Sequence, residues 1–320
     1  MAGQVIPMEL KTNPTDFSII PDVSIILVCW NNKEYLQPCL ESLYQGDLKS
    51  SFDVVVVDNG STDGSQQMLK EQFPEVLIIQ NDHNVGLGRA SNQGIIATRG
   101  QYVLLLNNDT IVNGPSFDSM IEFLDTHPEV GAVGGRLLNP DGSDQSCHNN
   151  FTTLYEEFLV ATRLGERFRT GYPAIINDDE VRSVDWMSSA CLLLRRETLD
   201  QVGLLDEEYF IYGDELDLQY RMKKAGWQIY YLPHATTIYF GGRSMERWPR
   251  RKMVYRGKMM FYQKNYGPVR TYALRIMLGV LSAAKLIPWG VALMLPGKRE
   301  QARGELGSNI EVLKLCWNLT

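Results

Sequence analysis

Three acidic positions in this 320-residue chain stand where an apolar run stops. Asp58 closes FDVVVVD, Asp109 follows YVLLLNN, and Asp214, Glu215 and Asp217 crowd the start of DELDLQYRMKK. A carboxylate at the tip of a buried strand is delivered rigidly to the sheet edge. At Asp58 it can accept hydrogen bonds from a nucleobase imide or a ribose hydroxyl. Asn59, Ser61 and Thr62 add short polar groups there, and Gly60 and Gly64 permit tight turns. The same DNGSTDG equally well caps the helix that follows. At Asp109 a carboxylate can hold Mg²⁺ or Mn²⁺, ions that take one or two carboxylates plus phosphate oxygens and keep several waters. Taken alone, a strand-end Asp is as readily a solvated terminus. The acidic trio either stabilises a helix N-terminus by charge–dipole attraction or supplies a general base beside an acceptor hydroxyl.

A fourth segment, NVGLGRASNQG (Asn84 to Gly94), is glycine-rich, but its third glycine comes too late for GxGxxG, which disfavours a dinucleotide fold. The chain has no GxxxxGK[ST] either. Arg89 and Asn92 fall on the first turn of a helix, where the positive helix end suits a pyrophosphate or a base. The alternative is an ordinary helix start with an exposed arginine.

The elements that position these groups follow from patterning. VSIILVCW, FDVVVVD, VLIIQ and YVLLLNN are short apolar, largely β-branched runs suited to strands buried on both faces. Helical spacings separate them: Leu36, Leu40 and Leu43 after the first, with Pro38 expected in the first turn, then QQMLKEQF, then RASNQGIIATR. This βαβαβαβ order predicts a doubly wound, mostly parallel sheet with ligands beyond the carboxyl ends of its strands. A helix over 117–126 and a short strand near 131–135 follow. The segment from about 139 to 183 reads as irregular, a lid or acceptor loop. VDWMSSACLLLRRETL is a strand entering a helix, and IYYLP and TTIYF are two strands.

Composition narrows the class. The net charge of −7 conceals an asymmetry: fifteen Lys/Arg against four Asp/Glu from Arg243 to Thr320, a net +11, and −18 over the rest. A basic tail on an acidic body suits an anionic membrane surface, a phosphorylated substrate or nucleic acid. The body carries no nucleic-acid motif, so nucleic acid is not expected as a partner. Five cysteines without CxxC spacing read as buried thiols in a reducing compartment. Residues 1–21 read as a loose leader without an export signal. The run from Arg270 to Leu295 is apolar but carries Arg275 and Lys285 and is broken at Pro288, so an interfacial helix pair fits it better than a span.

Taken in order, VSIILVCWNN, VVVVDNGSTDGS, NVGLGRASNQG, YVLLLNNDT, WMSSACLLLRRE and YGDELDLQYRMKKAGW resemble family 2 glycosyltransferases of GT-A fold. The nearest resemblance is to the rhamnosyltransferase-like group of bacterial surface polysaccharide synthesis. The resemblance covers about residues 22–265, leaving 266–320 as a helical C-terminal region. It implies an inverting, metal-dependent transfer of a sugar, with rhamnose on dTDP as the guess, from a nucleotide diphosphate to a glycan or lipid-linked hydroxyl. Asp58, Asn59, Arg89, Asn92 and Asn108 are then nucleotide-sugar ligands, and Asp109 ends a DXD-like motif holding Mg²⁺ or Mn²⁺. Trp186 and Ser189 line the sugar or acceptor pocket. Glu215 is the base, with Asp214 the runner-up. Arg243 and Arg247, after the Gly241-Gly242 hinge, close over the pyrophosphate. Two departures stand out: Tyr239 occupies the place of a histidine that many relatives carry, and the acidic pair is Asp-Glu where Glu-Asp is usual. The implied setting is cytoplasmic, peripheral on the inner face of the membrane, with oligomeric state left open. A nucleotidyltransferase would carry a glycine-rich basic loop after the first strand, where CWNNKEYL stands instead. A non-catalytic nucleotide-sugar-binding subunit would lack the acids at 58, 109 and 215.

Overall fold

The computed structural model describes residues 20–162, 164, 179–241 and 247–317, those at 247 and 248 by backbone only. The leader predicted over 1–21 therefore lies almost wholly outside the described residues. The first half alternates as the apolar runs predict: β1 (Val23–Cys29), α1 (Lys33–Gln45), β2 (Phe52–Asp58), α2 (Ser65–Gln72), β3 (Leu77–Gln80), α3 (Leu87–Ile96) and β4 (Tyr102–Asn107). β3, β2, β1 and β4 lie side by side, all parallel, so the chain reverses its direction of build between β1 and β4. This is where an open α/β sheet leaves its ligand crevice. Gly94 lets α3 lie directly on β1: a Cβ there would stand 2.6 Å from Ile26 Cγ2.

The sheet then becomes mixed. After β5 (Thr110–Val112), α4 (Gly114–Thr126) and β6 (Val130–Leu138) comes the segment expected to be irregular. It holds two short strands, β7 (Asp144–Gln145) and β8 (His148–Asn149), and a helix, α5 (Leu154–Thr162); residues 165–178 lie outside the described part. Two more short strands follow, β9 (Arg182–Ser183) and β10 (Trp186–Met187). β11 (Cys191–Arg195) runs antiparallel between β4 and β6, and α6 (Arg196–Val202) and α7 (Asp214–Lys224) follow it. The two strands expected from IYYLP and TTIYF are one, β12 (Gln228–Tyr239), which pairs with β6 through a register shift between Leu232 and Thr236. Pro233 cannot donate to the ladder, and the bulge absorbs it. Pro38 sits at the sixth residue of α1, not in its first turn, and deletes one helical hydrogen bond there. All five cysteines are free and buried. Burial pushes the Cys39 thiol up to about 12 and that of Cys191 to about 11.

The C-terminal region forms three helices, α8 (Arg247–Asn265), α9 (Gly267–Ala292) and α10 (Arg299–Trp317). Pro288 does not break α9, which runs through it to Ala292. A second apolar cluster unites the three with α5 and α7 through Ala161, Phe261, Tyr262, Leu274, Leu278 and Val312, with Leu216 and Tyr220 of α7 packed against it. Leu218 and Met222, on the other side of α7, belong to the main core under the sheet. Ion pairs fasten the edges: Arg251–Glu305 at 2.8 Å, Lys252–Glu311 at 2.7 Å and Lys258–Glu157 at 2.6 Å.

Candidate active site

The crevice is laced by amides. Asn108 donates to the Val28 carbonyl at 2.9 Å and accepts from Asn32 Nδ2 at 2.6 Å, which pins the ends of β1 and β4 to each other at the reversal point. On the next loop, Asn31 (φ 49°) accepts from the Thr62 amide at 2.7 Å, and its own amide donates to Ser61 Oγ. The loops after β1 and β2 therefore form one rim. Asp58 is fully buried and accepts from Gln66 Nε2 at 2.6 Å and from the Ser61 amide at 3.3 Å. Gln66, on the first turn of α2, was not singled out in the sequence; nothing but its place eight residues after Asp58 marks it. Asn59 is buried in a chain of amides, donating to Asn84 and Gly86 and accepting from Asn81.

The glycine-rich segment is held by the loop before α7. The Leu87 amide donates to the Phe210 carbonyl at 2.7 Å, and Arg89, largely exposed, lies 3.6 Å from Glu207. Asn92 is buried. Its amide hydrogens go to the Leu205 carbonyl and to Glu207, and its oxygen accepts the Leu205 amide. Every hydrogen-bonding arm of Asn92 is thus engaged within the protein, so it clasps α3 to the 205–207 loop and has no donor left for a nucleotide. In this arrangement Asn92 holds the start of α3 in place. Asn59 is engaged through both amide hydrogens and its oxygen, and Asn108 through one donated and one accepted bond.

Asp109 is buried at the turn between β4 and β5. Its backbone carbonyl accepts the Phe240 amide at 2.9 Å. Two residues earlier, Asn107 Nδ2 donates to the Tyr239 hydroxyl at 3.2 Å, so the tyrosine in the histidine place covers this turn. Among the described residues no group of three or more His, Cys, Asp or Glu side chains gathers to cage a metal. A single rigid carboxylate suits an ion of the Mg²⁺ or Mn²⁺ kind, whose remaining ligands are phosphate oxygens and water. Beyond Tyr239 the chain turns at Gly241 (φ 58°). Arg243 lies outside the described residues, and Arg247 opens α8 with its side chain outside them.

The acidic pair opens α7. Tyr212 (φ 63°) and Gly213 (φ 105°) form a left-handed turn that aims the first helical turn at the crevice. Asp214 is 2% exposed and lines a crevice with Val28, Leu87, Ser91, Asn107 and Ser189. Its Oδ1 has no hydrogen-bond partner among the described residues. Burial first, then the negative charge of Glu215 and a hydrogen bond to it, hold the Asp214 carboxyl protonated well above the usual aspartate range. Glu215, half-buried, accepts the Gly213 amide at 3.2 Å. Asp217 is spent on structure, bonded to Arg221 at 2.9 Å and Asn265 at 2.7 Å.

Gln219 of α7 bonds both the amide and the carbonyl of Met187, at 2.7 and 2.8 Å. It therefore clamps the strand bearing half-buried Trp186, and the Ser189 turn after it, to the helix that carries the pair. The structure thus gathers Asp214, Ser189 and Asn107 around one crevice. α8 lies across the same turn: a Cβ on Gly257 would stand 3.0 Å from the Tyr212 carbonyl carbon and closer still to its oxygen.

Residues 24–203 match the profile of Glycosyl transferase family 2. The chain is 30% identical over 242 residues to the N-acetylglucosaminyl-diphospho-decaprenol L-rhamnosyltransferase of Mycobacterium tuberculosis, covering 70% of this chain and 78% of that one. In three dimensions it is similar to the mannosyltransferase PcManGT of Pyrobaculum calidifontis, solved with GDP-Man and Mn²⁺. That match has a TM-score of 0.57 at 16% identity and covers 95% of this chain and 89% of the other. A GalNAc-T7 structure with UDP, GalNAc and Mn²⁺ matches with a TM-score of 0.54 at 16% identity, over 78% of this chain and 52% of that one. The parallel half-sheet with its crevice, the antiparallel strand beside it and the acidic helix start are the parts of a GT-A glycosyltransferase, and by profile and by identity the chain belongs to glycosyl transferase family 2.

Proposed function

We propose that this protein is an inverting, metal-dependent glycosyltransferase that moves a deoxyhexose, rhamnose from its dTDP form, onto a hydroxyl of a lipid-linked glycan. The reading rests most on the Asp214–Glu215 pair: Asp214 is buried in the crevice lining with its carboxyl pushed above the usual aspartate range, and Glu215 beside it is half-buried. Burial and the neighbouring negative charge raise Asp214, which suits it to keep a proton while its neighbour acts as base. Glu215, the one open to an acceptor, takes the hydroxyl proton as the oxygen attacks the anomeric carbon from the face opposite the nucleotide. Asp214, keeping its proton, steadies the Glu215 carboxylate. On this reading Glu215 is the base and Asp214 the runner-up for that role.

Asp58 accepts from the base or ribose, with Gln66 fixing the carboxylate's orientation. Arg89, on the glycine-rich helix start, is the arginine assigned to the nucleotide; the pyrophosphate role expected of Arg243 and Arg247 falls on side chains outside the described residues. Trp186 and Ser189 flank the sugar. A divalent cation held by Asp109 would offset the charge that builds on the leaving diphosphate. The identity to a relative whose name specifies a decaprenol-linked substrate supports the lipid-linked acceptor and a place on the inner face of the cell membrane.

The test is a melting curve with dTDP and with UDP, each with and without Mn²⁺. A ligand bound only by the native state at a hundredfold excess over its dissociation constant adds about 2.7 kcal/mol. A Mn²⁺-dependent shift with dTDP supports the donor; a shift with neither nucleotide defeats it. Glu215→Gln should lower turnover by about 10²-fold or more while that shift persists. Near-normal turnover removes Glu215 from the role.

A further inference from the structure

α9 turns an apolar row to solvent. Val269, Tyr272, Ile276, Val280 and Ile287 recur at helical spacing, and Met294 continues the row past its end; Val269, Ile287 and Met294 are 80%, 75% and 79% exposed. At 1.5 Å per residue the part of the row within α9, from Val269 to Ile287, is about 27 Å long. The opposite side of the helix, through Leu274, Leu278 and Ser282, is buried against its neighbours. Soluble monomers rarely leave so long a continuous apolar strip uncovered.

We propose that this row is a seat on an anionic bilayer, with α9 lying flat in the boundary between headgroups and acyl chains. The inference deepens the membrane location proposed above by naming the surface that makes the contact. Charge selects the partner. Arg270 stands exposed at one end of the row and Lys298 and Arg299 at the other, and α10 exposes Arg303, while its Lys314 is paired with Glu311 at 2.8 Å. Glu305 and Glu311 are engaged by Arg251 and Lys252, which leaves Glu300 as the exposed acid among described residues 267–317. Cations at the ends of an amphipathic helix reach phosphate while their stems stay on the apolar side. Aromatic residues suited to the interface accompany them: Tyr155 is 69% exposed on α5, whose Ala161 carbonyl is held by Lys285 of α9, and Trp317 is 73% exposed at the end of α10.

Two other arrangements fit less well. α9 is long and apolar enough to cross a membrane. Its packed partner α10, however, carries Arg303, Glu305, Glu311 and Lys314, and crossing would draw those charges into hydrocarbon. A second copy pairing along the row would set cations against cations at both ends, whichever way the helices ran.

The test is flotation of the full chain with vesicles of phosphatidylcholine, with and without phosphatidylglycerol, beside the variant Ile276→Asp/Val280→Asp/Ile287→Asp. The unaltered chain should float with the anionic vesicles and be loosened by salt. The triple variant should lose binding by at least about tenfold while keeping the melting temperature of the unaltered chain. That control needs no catalysis and no nucleotide, so failure here and failure of the donor reading are told apart. No flotation of the unaltered chain, or equal flotation of the variant, overturns the proposal. So does a dimer in sedimentation that the variant dissolves while neither form floats.

Discussion

Replacing Gly257 by alanine tests whether α8 braces the turn before the acidic pair. Alanine adds one methyl, and in a helix interior it is ordinarily favoured over glycine by about 0.5–1 kcal/mol. At Gly257 that methyl meets the Tyr212 peptide: 3.0 Å from the carbonyl carbon, and nearer still to the oxygen. A carbon and a carbonyl oxygen rest about 3.3–3.6 Å apart at closest, so α8 or the turn must move by on the order of 1 Å. The turn has little freedom to give, because Tyr212 and Gly213 both sit at positive φ and Gly213 backs onto the Tyr209 ring. Overpacking of this kind costs about 1–3 kcal/mol. A displacement near 1 Å of the pair that follows costs about 10²-fold in rate. Gly307→Ala on α10, where an added methyl meets nothing within 4 Å, is the control and should be neutral or stabilising. The assay is sugar transfer beside a melting curve for both variants. If Gly257→Ala melts as high as Gly307→Ala and transfers sugar at the normal rate, α8 does not rest on the turn.

Two further outcomes follow from the acids. Asp214 keeps its proton in the fold at a pH where the unfolded chain, with an ordinary pKa near 4, has lost it. Stability therefore falls as pH rises above about 4. Asp214→Asn cannot titrate, so its advantage in melting temperature over the parent should grow from pH 4 to pH 8; a constant offset would show that Asp214 is ionised. Asp109→Ala should abolish the Mn²⁺ dependence of the nucleotide-induced melting shift, and an unchanged dependence would remove Asp109 from the metal site.

The sequence made the strand ends legible, because an apolar run that stops at a carboxylate can be read without tertiary knowledge. Asp58 ends β2 and Asp109 follows β4 at the carboxyl edge of the parallel strands, and Asp214 lines the crevice. What stayed hidden were partners joined only by the fold. Gln219 grips Met187 from thirty-two residues away, and Asn92 reaches Leu205 across a separation of 113, so no local spacing could announce either. Asn92 illustrates the limit: a polar residue early in a helix offers a ligand contact, and the loop that engages it is invisible to local spacing. The merging of two expected strands into β12 has the same origin, since a bulge at Pro233 depends on β6 being alongside.

The two-sided packing of α7 bears on how the protein can be trimmed. The family profile ends at residue 203, before the acidic pair, and the apolar helices after 247 invite removal as a sticky tail. Yet Leu216 and Tyr220 shelter under those helices while Leu218 and Met222 anchor the same short helix in the main core. Cutting before α8 would bare one flank of α7 and unseat its first turn, so a shortened chain would lose activity for reasons unrelated to lipid. Greater solubility is better sought by recolouring the outward row of α9 with charge, leaving its inward side and every helix in place.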